Sequence, residues 1–126
     1  MKITNVRLRL VRGELDVQGK FWEERLVRPI DVYPEHKSEP LHESYPAPNA
    51  SGGLDVTAVF LYVETDEEVT GFFGPIAEGD AYFVATQITP LIIGEDPTAT
   101  ERLWDKMYKF LIHGRKGQPM FAISAM

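Results

Sequence analysis

The chain has 126 residues, 44% hydrophobic and 25% charged, with 13 basic and 19 acidic side chains and a formal net charge of −6 at pH 7. That suits one globular domain with its own core and is too short for a domain plus an enzyme barrel. The acidic balance argues against non-specific nucleic-acid binding, the lack of cysteine excludes disulfides and thiolate chemistry, and no apolar run or leader points to a membrane or to export.

In chain order, residues 3–11 read as a strand, with Val6, Leu8 and Leu10 on one face and Arg7 and Arg9 on a wet one. Gly13 is expected to end it. From residue 14 to 55 the periodicity breaks. Five of the nine prolines fall here (Pro29, Pro34, Pro40, Pro46, Pro48), together with Gly52 and Gly53. Proline removes a ladder donor and disfavours helix in its predecessor, so neither a helix nor a central strand is expected to run through residues 29–48. Phe21, Trp22, Leu26, Val27, Ile30, Tyr33 and Tyr45 make the segment too apolar for a plain linker. It reads as an aromatic, charged flap, or else as an insertion that orders only against a neighbour.

The clearest pattern lies in residues 56–74. Ala58, Phe60 and Tyr62 alternate with Val59, Leu61 and Val63, so residues 57–65 form a strand apolar on both faces, which suits a central position. Asp66, Glu67 and Glu68 supply a hydrated reversal into a second run over residues 69–73. Asp80 then reads as an N-cap, Val84, Ile88, Leu91 and Ile92 follow at helical spacing, Pro90 kinks the last turn and Gly94 stops it. Asp96 and Pro97 read as the cap and first position of a second helix. Its stripe of Leu103, Trp104, Met107, Tyr108 and Leu111 is expected in the core, with Glu101, Arg102, Asp105 and Lys109 outside. Past the loop from His113 to Gly117, Pro119 opens an apolar helix that reaches Met126 without a polar face or cap. The expectation is a fragment whose parent continues beyond Met126.

Chemistry is sparse. His36, His42 and His113 lack metal-ligand spacing. Neither Gly52-Gly53 nor the stretch from Gly71 to Gly74 fits a phosphate cradle, and Asn49-Ala50-Ser51 is a sequon without a leader. Arg115 and Lys116 between two glycines could take an anion but read better as a solvated turn. No nucleophile–base set is legible, so the residues alone give an α+β domain with no catalytic residue and no metal ligand.

The order of the parts carries a resemblance. The strand KITNVRLRLV, the long aromatic loop, the hairpin around ETDEEVTGFFG, the helix ending PLIIGEDP, the helix carrying ERLWDKMYKF, the GRKG loop and the opening AISAM cover almost the whole chain. Together they resemble the N-terminal capping domain of the enolase superfamily, in its mandelate racemase/muconate lactonizing branch. The nearest likeness is to acid-sugar dehydratases of the rhamnonate dehydratase kind. The most specific blocks are residues 65–71, residues 91–97 and HGRKGQPMFAISAM, where family members run on into an Asp–x–Ala–Leu–Trp–Asp helix. There is one departure: many relatives have Gly-x-Gly-Glu after the third strand, where this chain has Gly71-Phe72-Phe73-Gly74-Pro75.

The resemblance implies a three-stranded antiparallel sheet followed by a helical bundle, occupying residues 1–126 and cut before a (β/α) barrel. It implies a parent lyase that binds Mg²⁺ in that barrel, removes a proton α to a carboxylate and eliminates water from a small sugar acid, in sugar acid catabolism. The parent is expected to be a cytoplasmic homo-oligomer, and this chain alone to be inactive. The loop of residues 14–55 becomes a lid, with Lys20, Phe21, Trp22, Arg25 and Arg28 nearest the substrate, or else Trp22 plugs the domain's own core. The loop of residues 74–79 is implied to reach the same pocket, through Gly74 and Pro75. The alternative is a free-standing α+β module that binds a ligand or partner and catalyses nothing.

Overall fold

Strand alternation builds one antiparallel sheet of order β1-β2-β3 in the computed structural model, which describes residues 1–16, 29–37, 49–112 and 116–126. The strands are β1 (Ile3–Leu15), β2 (Leu54–Thr65) and β3 (Thr70–Ile76). β2 is central, as its two apolar faces require. The start of β1 meets the end of β2, where the Lys2 amide donates to Asp66 Oδ1 at 2.7 Å and Thr4 Oγ1 to the Glu64 carbonyl at 3.2 Å. Asp66 is therefore a partner of the backbone and not merely a hydrated turn residue. Gly13 does not end β1: no atom crowds it, and the strand runs on to Leu15.

The chain divides into two compact units, residues Arg12–Thr57 in one and Met1–Val11 with Ala58–Met126 in the other. In the first, a 3-10 turn spans Pro29–Val32 and a one-turn helix, α1, spans Pro34–Lys37, each too short to be a helix running through residues 29–48. Each begins on a proline, the position where a missing N–H costs nothing. Asn49 organises the next turn: its Oδ1 accepts from the Ser51 and Gly53 amides at 3.0 Å each, and its Nδ2 donates to Glu14 Oε1 at 2.7 Å.

In the second unit the helices are α2 (Glu78–Phe83), a π turn (Val84–Ile88), α3 (Thr89–Ile92), α4 (Thr100–Phe110) and α5 (Gln118–Ala125). The π turn abuts Pro90, which cannot donate to the Thr86 carbonyl; the local register widens, and the Thr89 amide and Oγ1 both reach the Val84 carbonyl. Ile3, Leu61, Val84, Ile88, Ile92, Leu103, Met107, Ala122, Ile123 and Ala125 form the core between the inner sheet face and the helices. Two expected caps differ. Ala77 precedes α2, and Asp80 lies inside its first turn, 8% exposed, with Oδ1 lacking a hydrogen-bond partner among the described residues. Asp96 closes a turn instead, accepting from the Thr98 amide and Oγ1 at 2.9 and 2.7 Å, so α4 starts at Thr100. Among the described residues no helix is long and apolar enough to cross a membrane.

The link between α3 and α4 is pinned to β1 and to α4. The Ile3 amide donates to the Glu95 carbonyl at 2.9 Å and the Gly94 amide to the Ile3 carbonyl at 2.8 Å. Glu95 Oε1 accepts from Lys106 Nζ at 2.7 Å, with Arg102 Nη2 3.7 Å from Oε2. The Lys106 hydrogen bond, then its charge and that of Arg102, holds the Glu95 carboxyl below its ordinary value of 4.5. A carboxyl depressed on folding adds stability above its unfolded pKa and loses it as pH falls through the folded value. Stability is therefore expected to decline as pH drops below about 4.5, and Glu95→Gln to be less stable at pH 7 with a shallower acid decline. Urea midpoints of both proteins from pH 7 to pH 3 check this; parallel pH profiles would contradict it.

Candidate functional site

β3 pairs with β2 through Glu64↔Thr70, Val63↔Gly71, Tyr62↔Phe72 and Leu61↔Phe73, and the register then shifts so that Val59 faces Ile76. Two residues of β3, Gly74 and Pro75, thus stand opposite one residue of β2, Phe60, which is a β-bulge. The expected loop of residues 74–79 is absent: Gly74 and Pro75 lie within the strand, and α2 begins at Glu78. Proline is tolerated there because β3 is an edge strand and the bulge needs no ladder donor. Gly74 adopts φ +147°, and a Cβ on it would come within 2.7 Å of Phe60 Cδ1 and 3.0 Å of the Val59 carbonyl oxygen.

The pairing also separates the two aromatic neighbours. Phe72 turns to the outer face, its ring 5.3 Å from Phe60 and 5.1 Å from Tyr62, with the Arg7 guanidinium 4.4 Å over the Tyr62 ring. Phe73, paired with Leu61, lies over the inner face. There a cleft of about 530 Å³ opens between Leu61, Val63 and Phe73 on the sheet, Leu103, Trp104 and Met107 on α4, and the end of α5 at Ala125 and Met126. Leu61 at its floor is 1% exposed, whereas Phe73 at its rim is 52% and Trp104 45% exposed. Trp104 is therefore not the core residue its helical spacing suggested; it stacks on Tyr108 at 4.7 Å and borders the cleft. The lining is hydrocarbon and aromatic, with the hydroxyls of Thr65, Thr100 and Ser124 as its polar groups. Such a surface can bury apolar partners, and among the described residues no His, Asp, Glu, Lys or Arg side chain lines it.

In the other unit, among the described residues, Glu14 gathers polar contacts: its Oε1 accepts from Ser51 Oγ at 2.6 Å and Asn49 Nδ2 at 2.7 Å. Those two bonds hold its carboxyl below the ordinary value. Asn49 Nδ2 also reaches Asp55 Oδ1 at 3.1 Å. This network fastens a turn, and Asn49, read from sequence only as part of a sequon, is its centre. The signal was present in the Asn–x–Ser–Gly spacing, a pattern that favours side-chain-to-backbone turns. Among the described residues no three His, Asp or Glu side chains stand close enough to hold a metal ion, so the set of carboxylates that Mg²⁺ needs does not fit them. The expected lid residues Lys20, Phe21, Trp22, Arg25 and Arg28 lie outside the described residues, as do His42 and His113.

Three known proteins frame these features, although no family model matches the chain. A Caldivirga maquilingensis protein bearing the name L-rhamnonate dehydratase is 33% identical over 106 residues, which is 80% of this chain and 24% of that protein. The chain thus spans about a quarter of the length of that relative. A racemase from Streptomyces coelicolor, solved with bound magnesium, covers 98% of this chain with 29% of its own, at 20% identity and a TM-score of 0.58. A member of the enolase superfamily from Agrobacterium tumefaciens covers 98% with 31% of its own, at 15% identity and a TM-score of 0.61.

Proposed function

The chain shares its fold with the enolase superfamily, in its mandelate racemase/muconate lactonizing branch, and from that premise we propose that it is the N-terminal capping domain of a Mg²⁺-dependent acid-sugar dehydratase. The observation that carries the activity is the 33% identity to the L-rhamnonate dehydratase relative across 80% of the chain. The cleft supports a docking role, since a face bordered by half-exposed Phe73 and Trp104 gains stability when covered. In this reading a barrel in the parent covers that face and supplies the metal ligands and the acid and base groups. There a proton α to the sugar acid's carboxylate is removed and a β-hydroxyl leaves as water.

The capping domain's own contribution is to bind and to exclude solvent. The segment between β1 and β2 acts as the lid. Phe21 and Trp22 keep water from the reacting carbons, and Lys20, Arg25 and Arg28 supply charge-assisted hydrogen bonds to the carboxylate and hydroxyls. Gly74 and Pro75, on the bulge of β3, are placed at the same substrate pocket by the family resemblance alone. The 126 residues alone catalyse nothing, and the parent works as a homo-oligomer in the cytoplasm.

The coding sequence beyond the Met126 codon tests this reading. It is expected to continue in frame into a barrel with Asp and Glu ligands at successive strand ends. A stop codon there would favour a free-standing binding module instead.

A further inference from the structure

We draw no further inference here: the strongest candidate, the strip of Arg7, Tyr62, Phe72 and Phe60 on the outer sheet face, is a half-exposed aromatic surface, and nothing in the structure shows what covers it.

Discussion

Replacing Gly74 with valine is expected to cost about 2–5 kcal/mol of folding stability, the sum of backbone strain and forced overpacking. Two independent facts lead there. At φ +147° an L side chain is strained whatever space it has, because its Cβ crowds the neighbouring carbonyls. Space is also lacking, since the new Cβ would meet Phe60 Cδ1 at 2.7 Å, the Val59 carbonyl oxygen at 3.0 Å and Phe60 Cα at 3.2 Å. Two of those three atoms are backbone of the central strand, so relief means shifting β2 and not merely turning a ring. Gly71→Val is the contrast in the same strand. Its nearest neighbours, Val63 Cβ and the Val63 carbonyl, lie 3.9 Å away, and its φ is ordinary. That substitution is expected to change stability by less than about 1 kcal/mol. Urea unfolding followed by far-UV circular dichroism reads both. Equal midpoints for the two variants would mean that the bulge opposite Phe60 carries no constraint.

On the proposed reading of residues 14–55 as a lid, loss of its aromatic or basic groups is expected to have the largest effect on activity. In the parent enzyme, Trp22→Ala and Arg25→Ala are each expected to lower kcat/KM for the native sugar acid by about 10- to 1000-fold, or roughly 1.4–4 kcal/mol of transition-state stabilisation. The range is that of one or two hydrogen bonds or apolar contacts made in a water-poor site. A lid completes the pocket on closure without performing the proton transfer, so turnover should fall without vanishing. Affinity for Mg²⁺ should be nearly unchanged, because the proposed function puts its ligands in the barrel. A folded Trp22→Ala parent with wild-type kinetics and substrate preference would reduce Trp22 to packing. Loss of folding in that variant would place it in a core, and Arg25→Ala would then carry the test alone.

The parts of the fold that were legible in sequence are those where one local pattern has one solution. The alternation of Val59, Leu61 and Val63 against Phe60 and Tyr62 has period two and nothing else, and β2 forms as read. The paired stripe of Leu103 and Met107 is likewise buried. What failed depended on the neighbours. Asp96-Pro97-Thr98 serves equally for a helix cap and for a turn, and the choice falls to the turn because Thr98 supplies both its amide and its hydroxyl to Asp96. Gly74-Pro75 reads as the end of a strand until an edge position and a facing Phe60 make it a bulge. Trp104 sits at core spacing on α4, but spacing cannot tell whether anything covers that side of the helix. For the proposed lid, the sequence shows the aromatic and basic character of residues 20–28, while the role given to them rests on resemblance alone, since they lie outside the described residues. The cleft was not legible, because it is a gap between elements distant in sequence.

The most direct measurement is 2-keto acid formation from a panel of sugar acids, rhamnonate among them, with and without Mg²⁺, by the parent protein and by the 126-residue chain. The capping-domain assignment predicts turnover by the parent that disappears on chelation of the metal, and a blank for the chain alone. Metal-dependent turnover by the chain alone, or a parent inert toward every sugar acid tested, would contradict it.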